Sequence, residues 1–424
     1  MKTLIKQMWA GKRENGWIFI ELIIIFVVTW MVIDPIYVIQ YQRHGIKEGF
    51  DPDNLYMANI SVYSQMAPDY DSTRMSKEAL TEDAVRIMNI VKTLPEIEAV
   101  TLIDGNRPWS SSYNGDRLMN PEDSSISYIQ LLTLFNNEDF FKVFRYRSAL
   151  DHKWESFDKL ELPSNGIIIS EDSRQQLFKD NPAIGKTLNV GGSDYIVSGV
   201  MEMVKRAPSE QPAPCILYQK NYIYPSGYNN VGIAIRVKSG ISEMKFLNDF
   251  KDKVAPKMQS GNLYFNEISS YYSYGDLYSS WDGSSKTLQM RGVLSAFYLL
   301  VVFLGIISTF WLRVETRKEE TGLRMALGCT KNKIRNRMLS ESLLLVLFAS
   351  VIGLIITANI VYFKGMYSFT NNAVVFPAVD STIPHFAIVT LITLVLIIAV
   401  VAIATIIPAN RATKINPIDA LRDE

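Results

Sequence analysis

Histidine is nearly absent from this chain: His44, His152 and His385 are its whole complement and stand far apart. That argues against a histidine-built metal site. Cysteine is as scarce, with Cys215 and Cys329 alone, so no disulfide framework is expected. Net charge is lacking too, because 43 Lys and Arg balance 43 Asp and Glu. No basic stripe with interleaved aromatics appears, which argues against a nucleic-acid partner. A complete phosphate-binding loop is also missing. Ile184-Gly185-Lys186-Thr187 resembles its tail, but the motif needs a glycine five positions before Gly185, and Asp180 stands there. Gly185 is expected to serve a turn before a strand, and no cofactor is expected to bind this chain.

What the chain has in plenty is apolar sequence, gathered in blocks. The first runs from Trp17 to Ile33 and is expected to stop at Asp34-Pro35, giving a span over 17–34. It is just long enough to cross about 30 Å of hydrocarbon, and no small-residue cleavage site follows it. An uncleaved anchor is the reading. Three further spans are expected over 292–312, 339–363 and 386–407. Lys2, Lys6, Lys12 and Arg13 precede the first span. Arg313, Arg317, Lys318, Arg324, Lys331, Lys333, Arg335 and Arg337 crowd the segment after the second. Arg411, Lys414 and Arg422 follow the fourth. The positive-inside rule then puts both termini and the 313–338 loop in the cytoplasm, and residues 35–288 outside. A thiol at Asn262 should be reachable from outside, and one at Asn332 from within. Leu4, Ile5, Met8 and Trp9, interleaved with lysines, predict an interfacial helix over 1–16.

The outer region shows a strand-helix-strand order twice. Tyr56, Ala58, Ile60 and Val62 alternate; Leu80, Ala84, Ile87, Val91 and Leu94 line a helix face stopped by Pro95; Val100 and Leu102 open another strand. Later, Val231, Ile233, Ile235 and Val237 alternate; Ile241, Met244, Leu247, Phe250 and Val254 line a second helix; Leu263–Ile268 closes the unit. Two such units, over 50–105 and 229–285, predict a split βαβ sheet. The 106–228 stretch between them is expected to be a mainly β insertion, with a strand at Gly166–Ile169, a helix opened by Ser170, and a hairpin across Gly191-Gly192. The fold class is therefore an α-helical membrane protein of four transmembrane helices plus a large α/β extracytoplasmic domain.

The segment after the second span reads Glu315-Thr-Arg-Lys-Glu-Glu-Thr-Gly-Leu-Arg-Met-Ala-Leu-Gly-Cys-Thr330 and leads into Ser340-Glu-Ser-Leu-Leu-Leu345; the chain closes Pro408-Ala-Asn-Arg-Ala-Thr-Lys-Ile-Asn-Pro417-Ile-Asp-Ala-Leu421-Arg422. Gly322 and Gly328 flank a short helix whose Leu323, Ala326 and Leu327 form one small apolar face, rimmed by Arg317, Glu319, Glu320 and Arg324. A solvated basic loop explains the charges but not this glycine-bounded apolar turn. Both stretches resemble the signature of the FtsX/MacB-like ABC transporter permeases over 286–424. Ile168-Ile-Ser-Glu171, Leu177-Phe178 and Ile184–Thr187 are more weakly similar to the MacB-type periplasmic core domain. The N-terminal stretch departs from the family's usual A-L-R-N-L, and Glu21 inside the first span is unusual.

The resemblance implies a porter-like outer domain over 35–288 and an FtsX-like permease domain over 289–424 of an inner-membrane, multi-pass protein. It implies that Arg317, Glu320, Gly322, Leu323, Arg324, Ala326, Leu327 and Gly328 couple the chain to a separate ATPase subunit that binds the ATP. Glu341, Pro408, Pro417 and Leu421 would support them. It further implies a second permease copy or homologue, with a periplasmic adaptor and outer-membrane channel as further partners. Cargo export and the switching of a cell-wall hydrolase both stay open. Glu341 is read as opening the third span, where a carboxylate favours a helix N-terminus and can pair with Arg335 or Arg337.

Overall fold

A computed structural model describes residues 12–109, 115–119, 126–135, 139–208, 210–223, 231–281, 284–316, 318–364 and 382–412. The chain divides into two units, Met1–Tyr41 with Thr287–Glu424, and Gln42–Lys286.

The helical unit holds the long helices. Helix α1 runs Lys12–His44, and the later ones are α8 (Ser284–Glu315), α9 (Lys318–Ala326), α10 (Lys331–Lys364) and α11 (Thr382–Ala412). Four of these are long and apolar enough to cross a membrane: α1, α8, α10 and α11. They pack through Leu22, Phe26, Ile306, Phe310, Leu345, Ala349, Ile397 and Val401, all buried. The expected stop at Asp34-Pro35 is wrong: Pro35 lies inside α1, which continues to His44. Proline forfeits one backbone hydrogen bond, a loss that neighbouring helices can absorb inside a membrane protein. The third span's helix likewise begins about two turns before Leu339, because charged residues extend it beyond its apolar stretch. The interfacial segment over residues 1–11 lies outside the described residues.

The outer unit contains α2 (Lys77–Val91), α3 (Phe140–Phe144), α4 (Glu155–Asp158), α5 (Glu171–Phe178), α6 (Glu243–Lys253) and α7 (Tyr271–Trp281). Its first sheet takes β1 (Leu55–Val62), β2 (Ile97–Asp104), β9 (Val231–Val237), β10 (Gln259–Ser260) and β11 (Leu263–Ser270) in the order β10-β11-β1-β9-β2. Strand β9 runs antiparallel between β1 and β2, and β1 antiparallel between β9 and β11. Each βαβ unit is thus split by a strand of the other. Tyr56, Ala58, Ile60, Val100, Leu102, Ile233 and Ile235 face α2 and α6. Each fully buried Val or Ile there contributes roughly 1.5–3 kcal/mol. On α6 the buried stripe is Phe246 and Phe250 rather than the expected Met244, which is 74% exposed.

The opposite face of this sheet is buried too. Met57, Ala99, Ile103 and Ala234 pack against Trp109, Leu132, Phe140, Phe144 and Tyr271. Arg236, on the same face, donates to the carbonyls of Val143, Asp51 and Asp53. The covering layer is the inserted sheet, formed by β3 (Gly115–Met119), β4 (Ile126–Phe135), β5 (Gly166–Ser170), β6 (Thr187–Val190), β7 (Ser193–Met201) and β8 (Cys215–Lys220) in the order β3-β4-β8-β5-β7-β6. It is mixed, with β4–β8 and β5–β7 parallel. The sheet curls until its edges meet, where the Gly191 N–H donates to Asp116 Oδ2 at 2.7 Å. In the hairpin between β6 and β7, Leu188 pairs with Tyr195.

Candidate functional site

The short helix α9 stands between two long apolar helices, and its end is set by backbone chemistry. Gly328 has φ +90°, a conformation that glycine adopts freely and most residues do not. The Gly328 N–H donates to the Met325 carbonyl and the Cys329 N–H to the Arg324 carbonyl, each at 3.0 Å. That pair of bonds is the Schellman motif, which ends a helix and satisfies its last carbonyls. Helix α10 begins at once, with Lys333 and Ile334 N–H groups donating to the Thr330 carbonyl.

The turn leaves an apolar face bare. Leu327 is 78% exposed and Leu323 51%, with Ala326 exposed beside them. Gly322 is buried and Arg324 half-buried. Among the described residues, nothing covers these two leucines. Arg317 lies outside the described residues, as do Pro417 and Leu421, and the Glu320 side chain is likewise not described. Glu341 is not at a helix N-terminus, because α10 already began at Lys331. It is buried inside the helix and pairs with Arg337 at 3.4 Å. Pro408 is buried inside α11 next to Ala409. Near it, the Arg411 guanidinium sits 5.0 Å above the Trp311 ring, joining α11 to α8.

Glu21 sits across from Thr309 of α8, whose hydroxyl is 3.2 Å from both carboxylate oxygens. The sequence reading missed a second polar pair between the long helices: His385 Nε2 lies 2.7 Å from Asp34 Oδ1, joining α11 to α1. Its signal was available, since each residue is an ionisable group at the edge of an apolar block. Gly185, at φ +83°, donates its N–H to the Val197 carbonyl at 2.8 Å in the turn before β6. Among the described residues, no three His, Cys, Asp or Glu side chains are placed to hold a metal ion.

The FtsX-like permease C-terminal family matches residues 292–417, and the MacB-like periplasmic core domain matches residues 23–252. The macrolide export ATP-binding/permease protein MacB of Chromobacterium violaceum is 24% identical over 297 residues, covering 68% of this chain and 42% of that protein. MacB 1/2 of Paracoccus denitrificans is 23% identical over 275 residues, covering 63% and 38%. The chain thus spans about two fifths of the length of the curated relatives it matches. The crystal structure of the periplasmic region of MacB from Actinobacillus actinomycetemcomitans aligns over 55% of this chain and 94% of that one, at 11% identity and a TM-score of 0.30. Likeness at that level adds nothing to the fold described above.

Proposed function

The chain belongs to the FtsX-like and MacB-like family of ABC transporter permeases, and on that premise we propose that it is the mechanical half of an exporter. A partner ATPase binds and hydrolyses the ATP, and this chain binds no nucleotide. The ATPase seats on the α9 face of Leu323, Ala326 and Leu327, and two permease copies close together as it turns over. The spans carry that movement to the outer domain, which drives out a cargo such as a drug, peptide or lipoprotein. Both termini and α9 lie in the cytoplasm, and Gln42–Lys286 lies in the periplasm. The six-stranded inserted sheet favours export over the switching of a cell-wall hydrolase, a role associated with smaller outer domains.

The single observation that carries the reading is the exposed Leu323–Leu327 face held by the Gly328 turn. Burying a leucine is worth roughly 1.5–3 kcal/mol, and an aspartate in its place brings an unsolvated charge into the contact. Leu327→Asp should therefore cut co-purification with the ATPase by tenfold or more while the chain still inserts. Cysteines at Met66 and Thr330, both exposed, should label from outside and inside respectively. Normal ATPase recovery with Leu327→Asp, or reversed labelling, would refute the proposal.

A further inference from the structure

Three features that ordinarily weaken a fold converge on one contact in the outer unit. Gly275 sits in the middle of α7, where glycine is a poor helix former. Trp109 holds φ +59°, a left-handed conformation unusual for a bulky residue. Its indole N–H is buried and finds no acceptor among the described residues. The Trp109 ring is fully buried in the core, yet local rules broken together at one contact mark a place where function has set the sequence.

The contact itself is a notch. A Cβ on Gly275 would stand 2.7 Å from the Trp109 ring and 2.8 Å from Pro208, so only a bare backbone admits both. The loop after β2 then reads one stripe of α7. Tyr271 donates its hydroxyl to the Pro108 carbonyl at 2.6 Å. Arg107 donates to the Tyr274 hydroxyl at 2.6 Å, and its guanidinium lies 4.8 Å from that ring. Tyr271, Tyr274 and Gly275 are at i, i+3 and i+4, hence on one helical face.

The same loop is stitched to the inserted sheet. The Asn106 carbonyl accepts from the Thr133 N–H at 2.9 Å, and Asn106 Nδ2 donates to the Leu131 carbonyl at 2.8 Å. The Trp109 N–H donates to the Arg206 carbonyl at 3.0 Å, tying in the loop that follows β7. That second loop also holds the chain emerging from α1, through the Lys205 N–H to the Glu48 carbonyl at 3.0 Å and the buried Lys205 amine 3.3 Å from the Glu48 carboxylate. In sequence, α7 ends at Trp281 and α8 begins at Ser284.

We propose that Arg107–Trp109, seated in the Gly275 notch of α7, is the joint through which movement of the second span reaches the inserted sheet. Trp109 and Gly275 are its positioning residues, and this joint rests on the reading of the chain as a force-transmitting permease. The two costly backbone positions hold a bulky ring against a helix with no room to slip. Movement of α7 is then delivered to β4 and to the loop after β7 rather than lost at a soft interface.

The test uses the full chain in lipid nanodiscs with its co-purified ATPase, with Cys329→Ser removing the accessible thiol. Spin labels at Ser273 of α7 and Ser193 of the inserted sheet report the joint; a pair at Ser193 and Tyr128, both on that sheet, reports its fold. The expected result for Trp109→Ala and for Gly275→Ala is a Ser273–Ser193 distance distribution at least twice as wide, with the control pair unchanged. The nucleotide-driven displacement of the Ser193 label should fall at least twofold while ATPase binding holds. Gly275→Ala keeps the test decisive if Trp109→Ala fails to fold. An unchanged width and an unchanged displacement in Gly275→Ala would overturn the joint alone. A wild-type chain whose labels never respond to nucleotide would overturn the permease reading beneath it.

Discussion

Asp34 and His385 meet 2.7 Å apart between α1 and α11, with side chains only 5% and 2% exposed. Around them, Tyr37 lies 5.0 Å from the His385 ring, and one turn away Trp30 donates to the Thr390 hydroxyl at 3.1 Å. Breaking a buried ion pair by removing one member costs about 3–5 kcal/mol. His385→Ala should therefore lower the melting temperature of the detergent-solubilised chain steeply. The Asp34→Ala, His385→Ala double variant should recover much of the loss, because both halves of the pair are then replaced together. A double variant as unstable as the sum of the two singles would show that the residues act independently.

A second carboxyl predicts a pH dependence for the outer unit. Asp172, on the first turn of α5, is almost wholly buried; it accepts from the Ser170 hydroxyl and from the Ser173 N–H at 3.0 Å. Its other oxygen meets no donor among the described residues. Burial pushes the Asp172 carboxyl up from 3.8 to about 6. The folded state therefore binds a proton more tightly than the unfolded chain. The stabilisation this gives is full below about pH 4 and is lost as pH rises through about 6. At about 1.4 kcal/mol per pH unit, the gap is worth about 3 kcal/mol. Asp172→Asn should be more stable than the wild type at pH 7.5 and should match it near pH 4. Thermal melts across that range check this, and equal melting temperatures at pH 7.5 would count against it.

The first sheet shows how far sequence carries. Val231, Ile233, Ile235 and Val237 alternate plainly, and they do face the helices. The intervening Gly232, Ala234 and Arg236 carry no apolar pattern of their own, yet all of β9 is buried. What covers them, the inserted sheet, is brought there by long-range packing, which no local period records. Asn262 fails for the same reason. A turn residue expected to be open to label, it is fully buried, exchanging hydrogen bonds of 2.8 and 2.6 Å with the Asp71 backbone. At the candidate site the balance reverses. The Leu323–Gly328 turn is local, so its glycine and its apolar face were legible together. The start of α10 was not, because hydropathy marks where a helix enters lipid and not where its hydrogen bonds begin.

The turn at Gly328 supports the last prediction. At φ +90° nothing lies within 4 Å of a would-be Cβ, so space does not limit this position and backbone conformation does. A β-branched residue there meets the left-handed penalty of about 1–2 kcal/mol, enough to reopen the Schellman bonds from Gly328 and Cys329. Gly328→Val should then swing Leu327 away from the face it shares with Leu323, while the spans and outer unit fold as before. ATPase co-purification should drop several-fold with normal membrane insertion. Gly328→Asn separates conformation from side-chain bulk, since asparagine tolerates the left-handed region where valine does not. It should keep most of the ATPase bound. If valine and asparagine behave alike, the φ of this residue is not what presents Leu327, and the coupling face is held some other way.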